Sequence, residues 1–356
     1  MSKNSITKIK NIGVIGCGQL GQMICQSAKK LGFNTIVFGD QNNSPASLVA
    51  DEMIVANYKD FDALKNFASK IDVVTCEFEN IPFETADFLS KIVQISPSPE
   101  ILKIAQNRIL EKSFINKIGV KTANWLEIKS LPDLESALSK FKKAILKTAT
   151  MGYDGKGQFV LNYGDDLVKI WQEVKGKSLI LEEFCPFSSE ISVMIARAKN
   201  GEISCYEPLT NIHKNGILDE SHYPAKISEK TKIKAQEIAA KIAEELNLIG
   251  ILAIEFFALE NGELIVNEMA PRPHNSGHFS MDANNTSQFE QLVRVISELE
   301  LGNVEFVRSG FMKNLIGDDV NNIAEYKENP DAKIHLYGKE EVKVGRKMGH
   351  VNILTS

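Results

Sequence analysis

Apolar and polar positions follow different rhythms along the chain. Near the start, short apolar runs alternate with amphipathic stretches: residues 12–15, 35–38 and 73–75 read as buried strands and residues 20–31 as a helix. Strands alternating with helices predict a parallel sheet covered on its faces. Ser96-Pro97-Ser98-Pro99 punctuates the end of this unit. Helical patterns follow over residues 100–118, and then strands dominate: 144–147, 158–161, 178–184 and a pair flanking Asn200-Gly201. Over residues 228–246, Ala and Ile recur at helical spacing against Lys and Glu. Two strands flanking Asn261-Gly262 come next, then a Pro, Asn and Gly-rich loop, a helix near 287–299, and a strand-rich stretch ending in Gly345-Arg346-Lys347. The expected class is α/β, α+β overall.

With 356 residues the chain suits two or three packed domains. A formal net charge of −5 leaves no broad positive field for nucleic acid or an anionic membrane. Any phosphate it binds must therefore meet a local cluster of donors. Cys17, Cys25, Cys76, Cys185 and Cys205 are odd in number and form no Cys-x-x-Cys, which suits free thiols in a reducing cytoplasm. Residues 1–11 are polar and lysine-dotted, unlike a signal peptide, and no later run is long enough to span a membrane. A soluble cytoplasmic protein is expected.

Gly16-Cys17-Gly18-Gln19-Leu20-Gly21 fits G-x-G-x-x-G between a strand and a helix, and Asp40 closes the next strand where a ribose-binding acid would stand. From this loop alone two readings are open. One is a nicotinamide or flavin site; the other is a tight turn with close strand–helix packing.

A different nucleotide site is suggested downstream. Lys147 ends an apolar strand, and Gly152-Tyr153-Asp154-Gly155-Lys156-Gly157-Gln158 follows. Three glycines let backbone N–H groups approach phosphate oxygens, although Gln158 breaks the Walker A pattern. Residues 250–268 form two apolar runs around Asn261-Gly262, which predicts a type I′ hairpin with a two-residue turn. In that register Glu260 faces Glu263, and Glu255 lies opposite Glu268 on the same face. Two carboxylates opposed across apolar strands repel, and desolvation worsens the repulsion. A hard divalent cation between them removes both costs; Mg²⁺, or Mn²⁺ in its place, suits oxygen ligands and substrate phosphates. Asn267 belongs on the other face unless the ladder breaks there.

Pro271-Arg272-Pro273-His274-Asn275-Ser276-Gly277-His278 follows directly. Its prolines forbid a helix, so the two histidines are not an i, i+4 zinc pair. A guanidinium, imidazoles and an amide on a stiff loop suit a small planar oxyanion. Earlier, Glu182-Glu183-Phe184-Cys185-Pro186 ends a strand in a bend whose backbone amides suit a purine edge, with Glu190 on the next strand near ribose.

A strand lysine, a Gly-rich loop, a strand ending in a bend and a two-acid hairpin come in the order seen in ATP-grasp ligases. Within them the chain resembles the N5-carboxyaminoimidazole ribonucleotide synthase family, from Ile12 to Asn352. The resemblance rests on Gly18–Gly21, the Glu77-Phe78-Glu79-Asn80-Ile81-Pro82 run, the 152–158 loop, residues 267–272, the run from His274 to His278, and residues 345–350. It implies a Rossmann-like domain over residues 1–105, a two-lobed ATP-grasp domain over 106–300 hinged near 183–187, and a small β-rich domain over 301–356. By resemblance, Arg108 and Lys147 would hold ATP phosphates under the 152–158 loop. Residues Glu182, Glu183, Phe184 and Cys185 would meet adenine, Glu190 the ribose, and His213 the nucleotide. Glu255, Glu268 and Asn267 would bind Mg²⁺. Arg272, His274 and Asn275 would hold bicarbonate and carboxyphosphate. Gln19, Leu20, Glu77, Tyr153 and Asp154 would face the aminoimidazole, with Lys339, Arg346 and Lys347 on the ribotide phosphate. The implied substrates are 5-aminoimidazole ribonucleotide, bicarbonate and ATP, and the implied assembly is a homodimer.

Some positions depart from the family pattern. Family members usually continue beyond Gly349-His350, whereas this sequence ends at Ser356; Cys17 stands where Gly or Asn is frequent, and Lys156 where Arg is frequent. Three alternatives stay open at this point: another ATP-grasp ligase, an NAD-dependent oxidoreductase using Gly16–Gly21, and a nucleotide-binding regulator without turnover.

Overall fold

The computed structural model describes residues 8–152 and 157–355. The early apolar runs form five parallel strands, β1 (Asn11–Ile15), β2 (Asn34–Gly39), β3 (Glu52–Val55), β4 (Val73–Cys76) and β5 (Gln94–Ser96), in the order β3-β2-β1-β4-β5. β1 and β4 are almost wholly apolar because helices cover both faces of such a sheet. β3 and β5, with four and three residues, are too short to show a period, and the sequence pattern predicts neither. Strand order reverses between β1 and β4, so the loops after these two strands share one crevice. The glycine loop follows β1 and the Glu77–Pro82 run follows β4, so the fold brings the two together.

Four antiparallel strands build the next lobe: β6 (Trp125–Ile128), β7 (Lys143–Thr148), β8 (Gln158–Asn162) and β9 (Leu179–Glu183), in the order β6-β9-β7-β8. Leu134, Leu138, Leu146, Leu161 and Leu181 give this lobe its own core. A larger antiparallel sheet of nine strands follows. It contains β10 (Ser189–Arg197), β11 (Ile203–Cys205), β12 (Leu209–Lys214), β13 (Ile217–Tyr223), β14 (Gly250–Ala258), β15 (Leu264–Ala270), β16 (Ser309–Ile316), β17 (Ala332–Leu336) and β18 (Lys347–Thr355). β13 pairs with β16, so the strand-rich C-terminal part continues the central sheet rather than forming one of its own. Helix Glu229–Glu245 lays Ala235, Ala239, Ile242 and Ala243 against β10, β14 and β15, its small residues allowing a close approach.

The helix Gln19–Lys30 packs against the helix Gln288–Ile296. Met23 and Ile24 share one core with Phe289, Leu292, Val293 and Ile296. Each large apolar side chain buried here contributes about 1.5–3 kcal/mol. The helical stretch expected over residues 100–118 is two helices, Pro99–Ala105 and Arg108–Lys117. Asn107 starts the second: its side chain accepts from Ile109 N at 2.9 Å and Leu110 N at 3.2 Å, and a fresh cap there puts Arg108 at a helix N-terminus. No helix among the described residues is long and apolar enough to cross a membrane.

Candidate active site

The β14–β15 hairpin places Glu255 opposite Glu268, as expected, but by another route. The turn is not a two-residue type I′ turn. Leu259 N donates to Glu263 O at 2.9 Å and Gly262 N to Leu259 O at 2.9 Å, so residues 260–262 form the loop with Gly262 at φ +78. A type I′ turn needs positive φ at both central residues, and Asn261 does not adopt it. Glu260 therefore does not face Glu263, and Ala258 pairs with Leu264. The register then shifts: Phe256 faces Val266 but Glu255 faces Glu268, which leaves Asn267 as an extra residue in the ladder. The ladder breaks where a metal role for Asn267 requires it.

Burial, and then the facing Glu268, push Glu255 up to about 8. Burial also opposes charge on Glu268, but Arg108 outweighs it, donating from Nη1 to Glu268 Oε2 at 2.9 Å; Glu268 is held down near 2. Without a cation, one acid of the pair resists ionisation. Asn267 Oδ1 is buried and has no hydrogen-bond partner among the described residues. Two carboxylates and an orphaned amide oxygen form a hard, all-oxygen set that fits Mg²⁺.

Behind the hairpin lies a buried charge cluster. Lys147 on β7 donates to Glu182 Oε2 on β9 at 3.0 Å, and Lys112 reaches the same oxygen at 3.3 Å. The Glu182 side chain is 3% exposed and lies between the two lysines, where its carboxylate fixes the Lys147 ammonium, so any contact of this residue with adenine is left to its main chain. The amides of Glu183 and Phe184 are likewise taken, bonding Asn124 O at 2.8 Å and Lys143 O at 3.0 Å. Of the bend's amide donors expected at a purine edge, that of Cys185 has no backbone partner among the described residues.

The stretch after β15 carries the oxyanion candidates; it is a loop only as far as His274, since the prolines end at Pro273 and residues Asn275–Phe279 form a short 3₁₀ helix that the sequence reading did not expect. Arg272 Nε pairs with Glu79, a partner the sequence reading did not single out. Its only signal was membership of the Glu77–Pro82 run. His274 accepts at Nδ1 from Ser276 N at 3.3 Å, and its Nε2 lies 3.3 Å from Glu255 Oε1. Burial and then Arg272 push this imidazole down to about 3, so it is neutral. Both side-chain atoms of Asn275 are buried without partners among the described residues.

The glycine loop holds an internal anion. Glu77 accepts from Gly18 N and from Gly21 N, the latter at 2.6 Å, so its carboxylate occupies the N-terminus of the first helix, where a dinucleotide pyrophosphate would sit. A Cβ on Gly18 would come within 2.9 Å of that carboxylate and one on Gly16 within 2.3 Å of its Cγ, so the glycines make room for Glu77. Burial raises Glu77 against the lowering effect of the two amides.

Two cavities meet at these residues. One, of about 490 Å³, is lined by Gln19, Leu20, Glu77, Gly152 and Arg272 among others; the second, of about 270 Å³, by Lys147, Gln158, Glu190, His213, Glu255 and Asn267. Arg108, Glu268, His274, Asn275 and Lys347 line both. His213 and Glu190 are hydrogen-bonded to each other. Glu183, Phe184 and Cys185 instead line a separate groove on the Trp125 side of the bend. Lys339 and Arg346 stand behind Lys347: Lys339 Nζ donates to Lys347 O at 2.6 Å and Arg346 Nη1 to Glu341 O at 2.9 Å. Gly157 continues the β7–β8 hairpin, its carbonyl accepting from Thr148 N at 3.1 Å. Tyr153, Asp154, Gly155 and Lys156 lie outside the described residues.

Family comparison covers the chain in three parts. Residues 9–106 match the ribonucleotide synthetase preATP-grasp domain, residues 113–289 the ATP-grasp domain, and residues 310–356 the phosphoribosylaminoimidazole carboxylase C-terminal domain. The N5-carboxyaminoimidazole ribonucleotide synthase of Bacillus subtilis is 42% identical over 99% of this chain and 94% of its own. The Staphylococcus aureus N5-carboxyaminoimidazole synthetase, solved with ADP, superposes with a TM-score of 0.93 at 35% identity, covering 99% of this chain and 96% of that one. The Aspergillus clavatus enzyme, solved with ADP and 5-aminoimidazole ribonucleotide, gives 0.91 at 29% identity over 97% and 94%. The chain belongs to the N5-carboxyaminoimidazole ribonucleotide synthase family, ATP-grasp ligases that carboxylate 5-aminoimidazole ribonucleotide at the expense of ATP in purine biosynthesis.

Proposed function

We propose that the two cavities divide this reaction between them, with ATP in the one lined by Lys147 and His213 and the ribotide in the one lined by Glu77 and Arg272. The observation that carries this reading is their meeting at Glu268, His274 and Asn275, where both side-chain amide atoms of Asn275 are buried without a partner among the described residues. The ADP and 5-aminoimidazole ribonucleotide held together by the Aspergillus clavatus relative support it.

Bicarbonate is a poor electrophile. Its oxygen attacks the γ-phosphorus, ADP leaves, and carboxyphosphate forms. The exocyclic amine then attacks the carboxyl carbon, the bond to phosphate breaks, and the nitrogen proton passes to the departing phosphate. Lys147 and Arg108 neutralise transferring phosphate charge, work that is mostly positioning and electrostatics. Arg272 and Asn275 hold the planar oxyanion. His274, held neutral, is a poor base and serves as a donor from Nε2. Glu190 and His213 meet the ribose side of the nucleotide, and the adenine reaches past Phe187, which lines the same cavity, to the main chain of the bend at Cys185. Glu255, Asn267 and Glu268 would hold Mg²⁺, which supplies Lewis-acid charge to the phosphates when bound. Lys347, with Lys339 and Arg346 behind it, takes the ribotide phosphate. Tyr153 and Asp154 complete the acceptor side, with residues 152–158 over the phosphates. The free thiols suit a cytoplasmic enzyme. We also assign a homodimer, which sedimentation velocity checks: a species at monomer mass would remove it.

ADP release is measured with ATP, Mg²⁺ and 5-aminoimidazole ribonucleotide, with and without bicarbonate, for wild type and Glu268→Gln. The expected result is release that needs bicarbonate and acceptor for full rate and falls at least about 100-fold in the variant. Bicarbonate-dependent release at the wild-type rate in Glu268→Gln would remove the assigned metal site.

A further inference from the structure

The bulge at Asn267 sets the site, and the hairpin alone does not account for it. Polar backbone groups of adjacent residues point to opposite edges of a regular strand. Here Val266 and Asn267 both bond on the outer side of β15, the edge strand of the nine-stranded sheet. Val266 N donates to Lys121 O at 2.9 Å, and Asn267 O accepts from Lys112 Nζ at 3.2 Å. Two residues on, Met269 N donates to Glu111 Oε1 at 2.6 Å. Both side chains come from helix Arg108–Lys117, whose Arg108 also binds the Glu268 carboxylate between them. Residues 108, 111 and 112 are spaced i, i+3, i+4 and so lie on one helix face.

Lys112 and Glu111 are 0% and 2% exposed. A helix does not bury a lysine and a glutamate side by side unless their polar atoms are needed there. Buried backbone groups that a bulge removes from the ladder need other partners, and these two residues supply one for each side of Glu268.

We propose that Glu111 and Lys112 are positioning residues: together they stabilise the bulge and so turn the Asn267 amide oxygen toward Glu255 and Glu268. Lys112 has a second role, since its contact with Glu182 ties the hairpin to the residue that orients Lys147. One helix face thus sets the metal ligands and the phosphate lysine in register. This rests on reading Glu255, Asn267 and Glu268 as the metal site.

The test is Mn²⁺ binding in the presence of ADP, followed by the electron paramagnetic resonance of free Mn²⁺. It is set beside the KM for ATP and for 5-aminoimidazole ribonucleotide. The variants are Lys112→Met, Lys112→Arg, Glu111→Leu and Glu268→Gln. Lys112→Met and Glu111→Leu are expected to weaken Mn²⁺ about 10-fold or more, as removing a partner behind a ligand does. In Lys112→Met, KM for ATP should rise with it and KM for the ribotide should stay within about twofold of wild type, and Lys112→Arg should recover part of the loss; Glu111 lines the cavity assigned to the ribotide, so Glu111→Leu is read by Mn²⁺ affinity alone. Glu111→Leu decides the matter where Lys112→Met does not fold. Wild-type Mn²⁺ affinity in the folded variants, with Glu268→Gln impaired, overturns the clamp and leaves the metal site standing. Equal losses for both substrates in Lys112→Met also overturn it, since they mark a role in folding alone. Wild-type Mn²⁺ affinity in Glu268→Gln overturns the metal site and the clamp with it.

Discussion

Lys339 lies close enough to Arg346 and Lys347 for the three charges to interact, and its burial and those two neighbours push it down to about 8. It is therefore a cation below that pH and neutral above it. An ordinary lysine titrates at 10.5, so the folded chain releases this proton first. The cost of burying the charge is complete below pH 8 and is relieved as pH rises toward 10.5. Binding runs the other way. If Lys339 helps hold the ribotide phosphate, kcat/KM for 5-aminoimidazole ribonucleotide falls as pH rises through about 8. Lys339→Arg, which keeps its charge, should flatten that limb, and a flat wild-type profile across this range would take Lys339 out of phosphate binding. At this scale the sequence was readable where chemistry repeats a local pattern. The pairing of Glu255 with Glu268 followed from counting back from Asn261-Gly262. It held although the turn has three loop residues, because the extra residue at Asn267 offsets the change. Glu79, Glu111 and Lys112 were not readable, since their partners Arg272, Met269 and Asn267 are more than 150 residues away and nothing local marks the meeting.

The helix Arg108–Lys117 owes its start to a single side chain. Asn107 supplies the acceptor for two N–H groups that have no partner within the helix. Asn107→Ala should cost about 1 kcal/mol, lower Tm by a few degrees, and raise KM for ATP because Arg108 is the first residue of the helix. A lower Tm with unchanged KM for ATP would mean that the cap serves the fold alone. The break at residues 106–107 escaped the pattern because the helices on both sides are amphipathic and their apolar positions run on without a gap. Asn107 itself was the available signal, being a preferred capping residue. β3, β5 and β6 escaped for a different reason: with three or four residues each, they offer too few positions for a period. The glycine loop shows an element legible in shape but not in use. Its turn and helix were predictable, whereas its occupant, Glu77, comes from another strand.

One core joins the parallel sheet to the ATP-grasp part, and this decides how the molecule should come apart. Phe289, Leu292 and Ile296 of the late helix pack among Ile12, Val14 and Val37 of the first sheet. Ser96 Oγ bonds Ile249 O, which ties β5 to the start of β14. The lobe of β6 to β9, by contrast, has a core of its own. Phe289→Ala should cost about 3–5 kcal/mol and loosen both sides of the shared core together. By hydrogen exchange, amides of β1, β10 and β14 should lose protection in parallel, while those of β7 and β9 keep theirs. Loss confined to β1 would mean that the parallel sheet unfolds by itself. The cavity proposed for the ribotide takes Gly18 and Glu77 from the parallel-sheet part and Glu268 and Arg272 from the ATP-grasp part. The cavity proposed for ATP takes none of its lining, among the described residues, from the parallel-sheet part. Phe289→Ala should therefore raise KM for 5-aminoimidazole ribonucleotide well before it raises KM for ATP, and a larger effect on ATP would show that the acceptor cavity does not depend on how these two units pack.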